Sequence, residues 1–256
     1  MRIIDLSSPV DAAAYEPDPV VHEVLTPREG ALHMAAEMRE HFGVAFDPDD
    51  LPDGEFLSLD RLTLTSHTGT HVDAPSHYGS RPGAEAPRHV DALPLDWFFG
   101  PVVKLDARGH GTGVIGAPHL EAEFTRIGHT PGAGEIVVLD TGAAELAGTP
   151  AYFTDFAGLD RKATELLLDL GVRVIGTDAF SLDAPFTDIL ARYRETGDRS
   201  VLWPAHFAGR TRDYCQLERL ANLGELPALG ARIACFPVRI AGGGAGWTRA
   251  VGLLDD

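Results

Sequence analysis

The chain has 256 residues, 44% of them hydrophobic, and carries 38 acidic against 21 basic side chains for a formal net charge of −17. So acidic a surface excludes a general role on nucleic acid or on an anionic membrane, because both select basic proteins. No run of 18 or more apolar residues could span a bilayer, and residues 1–6 lead straight into a strand-like pattern without a signal-peptide core, so the cytoplasm is the expected compartment.

Apolar segments recur from Ile3 to Leu254 with no polar low-complexity linker between them, so residues 1–256 are expected to form one domain with an ample core. Residues 2–6 read as a short buried strand ended by Ser7-Ser8-Pro9. Residues 11–30, rich in Pro, Glu and Asp, read as an irregular surface excursion. Thr26-Pro27-Arg28-Glu29 has the form of a helix start, with Thr as N-cap, Pro at the first position and an acid in the first turn. Ala31, Ala35, Met38 and Phe42 follow at helical spacing and make one apolar stripe that should pack on the body. In residues 47–54 four aspartates suggest calcium, but the prolines break the alternation a calcium loop needs, which leaves a solvated loop. Residues 57–65 mostly alternate apolar and polar side chains, as a half-buried strand does.

The stretch that follows, Ser66-His67-Thr68-Gly69-Thr70-His71-Val72-Asp73-Ala74-Pro75-Ser76-His77, is the chemical centre of the sequence. Imidazole and carboxylate are the donors that divalent transition metals take. On an extended or turning backbone, His71 and Asp73 share one face. Gly69 allows the tight turn that brings His67 to the same ion. Gly69, two threonines, Val72 and Pro75 argue against a helix. His77, beyond the stiff Pro75, is near enough to touch whatever the metal binds, the position of a general acid or base. Any one of these histidines alone is more often a surface residue than a ligand; the four residues together are harder to dismiss.

Beyond the motif, residues 78–83 read as a flexible loop. Residues 93–99, Leu-Pro-Leu-Asp-Trp-Phe-Phe, are the densest apolar run, most simply core, with a wall for a flat substrate as the alternative. A strand over 101–106, an amphipathic helix over 118–127 and a buried strand over 135–142 follow. The clearest α-to-β unit lies at 160–178: Asp160 caps a helix with Ala163, Leu166, Leu167 and Leu170 inward, Gly171 ends it, and a strand carries Asp178 at its carboxyl end, where open α/β sheets bind ligands. Asp178, Ser181 and Asp183 there are either groups supporting a site or ordinary cap and turn residues. His206 and, twelve residues on, Glu218 form a second polar pair, weak by itself because glutamates in Leu-rich segments are usually solvated. Cys215 and Cys235 lack the spacing of a redox or zinc-knuckle motif and are expected as reduced core residues. Residues 242–246 are glycine-rich but lack the Lys-Ser/Thr of a phosphate loop and read as a turn between two terminal strands.

The string His67-x-Gly69-Thr70-His71-x-Asp73-x-Pro75-x-His77 resembles, without a departure, the signature of the metal-dependent cyclase family, which includes kynurenine formamidase, isatin hydrolase and aromatic polyketide cyclases. The resemblance implies an α/β fold with a partly closed, barrel-like sheet flanked by helices, and it places residues 5–7 beside the site. It implies that His67, His71 and Asp73 ligate a divalent metal, zinc first with manganese or magnesium compatible, and that His77 is the catalytic acid or base. Glu218, Leu220, Asn222 and Leu223, with His206 before them, resemble the family's distal half-site, which implies that His206 and Glu218 complete the coordination. A homo-oligomer is also implied.

Two reactions fit such a centre: hydrolysis of an amide, and enolate stabilisation for carbon–carbon bond formation. Residues 5–9, 22–56, 179–186 and 203–209 look most like the polyketide cyclases. That likeness implies closure of an aromatic ring on a small-molecule poly-β-ketone, with Trp97, Phe98, Phe99, Phe180, Trp203 and Trp247 as wall candidates. A C–N hydrolase of the kynurenine formamidase and isatin hydrolase kind is the alternative.

Overall fold

The computed structural model describes residues 1–81 and 85–255. The expected loop at 78–83 therefore ends outside the described residues. The chain divides into two compact units, one of residues 1–10 with 66–256 and one of residues 11–65.

In the larger unit, β1 is Arg2–Asp5. The smaller unit contributes the next elements, β2 (Val21–Leu25), α1 (Pro27–Phe42) and β3 (Leu59–Thr63). Helix α1 begins as its sequence dictates: Thr26 Oγ1 accepts from the Glu29 amide while Glu29 Oε2 accepts from the Thr26 amide at 2.8 Å, a reciprocal capping box. The expected irregular excursion at 11–30 is corrected by β2, which pairs antiparallel with β3 in the register Val21↔Thr63 to Leu25↔Leu59. A partner some forty residues away supplies hydrogen bonds that no local pattern announces. All five residues of β3 are exposed, so its alternation does not mark a half-buried strand. The α1 stripe is likewise shortened: Ala31 and Ala35 are buried, whereas Phe42 is 71% exposed.

The larger unit continues with β4 (His71–Asp73), β5 (Phe99–Asp106), β6 (Gly113–Ile115), α2 (Ala117–Ile127), β7 (Ile136–Asp140), β8 (Ala157–Leu159) and α3 (Arg161–Asp169). It ends with β9 (Val174–Thr177), α4 (Phe186–Thr196), α5 (Pro204–Ala208), β10 (Cys215–Glu218), β11 (Ala231–Ala234), β12 (Ala245–Trp247) and β13 (Val251–Leu254). Nine strands form one sheet in the order β1-β13-β11-β5-β7-β9-β10-β4-β12, curled into a half-barrel, which is the α/β class expected. Strands β5, β7, β9 and β10 run parallel at its centre. The expected turn at 242–246 runs into β12, one edge of the sheet, while β13 lies between β11 and the other edge strand, β1.

The alternation of the strands separates chemistry from packing. Glu218 lies opposite His71 and Gln216 opposite Asp73 in the β10–β4 pair, and Trp247 lies opposite His71 in β12–β4. These side chains therefore share one face. Val72 and Leu217 point the other way, into a core with Ile4, Leu6, Phe98 and Ile233. A second core, built on Leu105, Val137, Ile175, Leu120 and Leu167, packs α2 and α3 against the sheet. Cys215 and Cys235 are free and buried, as expected.

Candidate metal centre

The motif folds back on itself before it becomes a strand. Gly69 adopts φ +67°, a left-handed turn open to glycine at little cost, and its carbonyl accepts from His71 Nδ1 at 2.9 Å. That bond fixes the tautomer of His71 and leaves the Nε2 lone pair facing the site. His67 Nδ1 returns to within 3.2 Å of His71 Nε2 and 2.9 Å of Asp73 Oδ1. His71 Nε2 is 3.3 Å from Asp73 Oδ1 and 3.7 Å from Glu218 Oε2.

Pro75–Tyr78 forms a 3₁₀ turn that carries His77, whose Nε2 lies 3.7 Å from Asp73 Oδ2. The end of the glycine-rich run flanks this turn, with the Ala74 amide donating to Gly244 O. His67 and His77 are each about one-third exposed, whereas Asp73, His71 and Glu218 are buried, so the site opens at its two outer imidazoles. Their rings stand 4.3 Å apart.

Glu218 ends β10 and is held from both sides. Its Oε1 accepts from the Leu182 amide at 2.8 Å, which leaves Oε2 for the site. The chain turns sharply at Arg219, φ 59°, a strained conformation for a non-glycine residue. The Arg219 carbonyl is pinned by Thr70 Oγ1 at 2.6 Å and Ser8 Oγ at 2.9 Å, and Ser8 N donates to Thr70 Oγ1 at 2.8 Å. The segment after β1 thus sits beside the motif, as the resemblance implies.

His206 rides on α5. Its Nδ1 is 2.5 Å from Asp183 Oδ2, and its Nε2 is 3.9 Å from Asp73 Oδ2. Asp183 also accepts from the backbone amides of Ala205 at 2.7 Å and His206 at 3.1 Å. Asp183 is therefore the carboxylate that orients this imidazole, a role the sequence left equal to that of a turn residue. Its place after the carboxyl end of β9 was the one available signal. Asp178 is instead a structural group, accepting from Thr141 and the Ala144 amide.

Electrostatics reflect this crowding. Burial opposes the charge of Asp73, but the His71 and His67 imidazoles outweigh it and hold the carboxyl well below the usual range. Burial and the Asp73 charge raise Glu218. Burial would lower His206, yet the Asp183 carboxylate lifts it to about 9. His77 is pushed down to about 4 by burial, with the neighbouring imidazoles adding to the effect.

The residues fit a divalent cation. Both oxygens of Asp73 are buried and, among the described residues, make no well-aligned hydrogen bond although four imidazole nitrogens stand 2.9–3.9 Å away, a costly arrangement for a carboxylate that a cation would resolve. His67, Asp73 and His77 offer donor atoms within 4.8 Å of one another, and so do His71, Asp73 and Glu218, the two triads sharing Asp73. Five of the six sequence-assigned residues thus fall in the two triads, while His206 stands beside them through Asp73. Of the proposed wall residues, Phe98 is fully buried in the core with Trp97 against it, and Phe99 lies under the Arg232 guanidinium. Phe180 belongs to a row running Phe153, Phe180, Phe186, Trp203 with ring spacings of 4.8, 5.7 and 5.2 Å. Trp247 lines a cavity of about 320 Å³ with Ser8, Val10 and Thr70.

Residues 4–184 match the family model described as "Putative cyclase". The chain belongs to this cyclase family. It is similar to the kynurenine formamidase of Maricaulis maris, 32% identical over 197 residues that cover 76% of this chain and 80% of that protein. It is also similar to the isatin hydrolase of Roseibium aggregatum, 29% identical over 215 residues covering 79% and 77%. In fold it resembles isatin hydrolase A from Ralstonia solanacearum, with a TM-score of 0.75 at 22% identity over 99% of this chain and 92% of that one. No helix among the described residues is long and apolar enough to cross a membrane.

Proposed function

We propose that this cyclase-family enzyme is a metal-dependent hydrolase of C–N bonds, acting on a formamide or cyclic amide borne by an aromatic body. The observation that carries the reading is the buried Asp73 carboxylate, ringed by four imidazoles and Glu218 with their donor atoms converging on it. The names of the formamidase and isatin hydrolase relatives weigh toward C–N hydrolysis over the ring closure on a poly-β-ketone that the sequence favoured.

His67, His71, Asp73 and Glu218, with His206 beside them, would hold the cation, with zinc proposed first; once bound, it supplies Lewis acidity at the scissile carbonyl. The chain's own contribution to proton transfer is His77. Its imidazole is neutral at working pH, partly exposed, and fixed by the Pro75 turn. It accepts a proton from the attacking water as the new C–O bond forms and returns one to the leaving nitrogen as the C–N bond breaks, so that water is added across the amide. The row Phe180, Phe186 and Trp203 offers apolar faces to an aryl group. A homo-oligomer is proposed as well, supported by Val24 and Leu62, which share one face of the two-stranded β2–β3 sheet and are 53% and 52% exposed.

The test is turnover of N-formylkynurenine and of isatin by zinc-replete protein. Hydrolysis that falls at least ~100-fold in His77→Ala, with metal retained, is expected. Folded, metal-loaded protein that hydrolyses neither would refute the reading and return ring closure to first place.

A further inference from the structure

Helix α5 has little of its own to hold it in place. It has five residues, too few for intrinsic stability, and no side-chain N-cap; it starts from Trp203 at φ 40°, ψ 56°, a left-handed conformation disfavoured for tryptophan. Its buried side chains, Ala205 and Ala208, are small and pack it into the second core beside α3, so polar tethers are left to set its exact position. Asp183 provides one, at the Ala205 and His206 amides. The other comes from the strand that carries Glu218. Tyr214, fully buried just before β10, donates its hydroxyl proton to Ala205 O at 2.6 Å. Because that proton is spent on a group that can only accept, the same oxygen must accept from Gln216, whose Nε2 donates to it at 2.6 Å. Gln216 is fully buried on β10, directly opposite Asp73 in register, and its backbone amide donates to the Tyr78 hydroxyl. The Tyr214 ring is stacked on Tyr78 at 5.3 Å, which keeps the hydroxyl aimed at α5.

We infer that Tyr214, oriented by Gln216, is a positioning residue of the metal centre: it ties the helix bearing His206 to the strand bearing Glu218 and sets the distance between those two donors. The role rests on the metal-centre reading. It predicts that the hydroxyl of a residue touching neither metal nor substrate governs how tightly the cation is held.

The test uses cobalt(II) as both ligand and visible probe in the full chain. Tyr214→Phe keeps the stacked ring and removes only the oxygen. Its cobalt dissociation constant is expected to rise ~10–100-fold, the range for lost outer contacts of metal ligands, with a changed visible spectrum. Ile233→Ala, on β11 in the other core, serves as the control, expected to lower the melting temperature and leave the cobalt spectrum as in wild type. A Tyr214→Phe protein that melts early but binds cobalt with wild-type affinity and spectrum would overturn the inference. If Tyr214→Phe does not fold, Gln216→Leu decides: releasing the Tyr214 hydroxyl from its orienting donor should weaken cobalt binding, and unchanged binding would overturn the role. Wild-type protein that binds no cobalt would refute the metal centre itself, and Tyr214's role with it.

Discussion

Replacing Asp183 with Asn removes the charge behind His206 and little volume. Asp183 accepts three hydrogen bonds, from the Ala205 amide, the His206 amide and His206 Nδ1, and an asparagine amide can present an oxygen to only part of that set. The carboxylate lifts His206 to about 9 in the folded protein, against about 6.5 for a free imidazole. Because the folded value is raised, the contribution to stability is fully present below about pH 6.5 and is lost as pH rises through about 9. The difference corresponds to about 3 kcal/mol, an upper figure for an imidazole this enclosed. In chelator-treated wild type, urea unfolding between pH 6.5 and 9.5 should therefore show stability declining by up to about 3 kcal/mol. Asp183→Asn should flatten that decline and also weaken metal binding ~10–100-fold in a cobalt(II) titration. A decline of the same size in the variant would refute the assignment of Asp183 as the group that charges and orients His206.

Three further outcomes follow from the packing around the site. A Cβ added at Gly209 would stand 2.0 Å from the Tyr78 ring, so Gly209→Ala should cost about 1–3 kcal/mol by thermal unfolding and lower activity with it, because Tyr78 follows His77 in the same turn. Thr70→Val keeps the shape but strips the Arg219 carbonyl of its shortest donor and Ser8 of its acceptor; a loss of about 1–3 kcal/mol in urea unfolding is expected, and unchanged stability would show that the Arg219 turn holds without it. His71→Ala should abolish bound metal by elemental analysis while the core, which lies on the opposite face of β4, still folds by circular dichroism.

What could be read from the sequence was what is local. The motif from His67 to His77 spans eleven residues, and its turn-forming Gly69 and Pro75 stand where the structure uses them. The capping box at Thr26 and Glu29 and the Asp160-capped α3 are equally self-contained. Glu218 was named only through the family resemblance, because a glutamate in a Leu-rich segment is usually solvated; its pairing with β4 and β9 makes it a buried strand terminus opposite His71. Asp183, Tyr214 and Gln216 act through contacts that no local pattern announces, from Asp183 to α5 and from Gln216 to Tyr78, and residues that serve as cap, core or brace look alike until the strand register is known. The aromatic run at 93–99 was legible as core, and Phe98 is buried there, but which aromatics face one another was not: only the fold brings Phe180 and Trp203 into the row beside His206's helix.

The central claim is that this polar cluster binds a catalytic cation. The most direct measurement is the metal content of purified protein by elemental analysis, paired with hydrolysis of N-formylkynurenine and isatin before chelation, after it, and after zinc is restored. The account predicts at least one bound divalent ion per chain, activity lost with the metal and recovered with zinc. Folded protein that holds no divalent ion in the presence of excess zinc, or that turns over either substrate equally well without one, would contradict it.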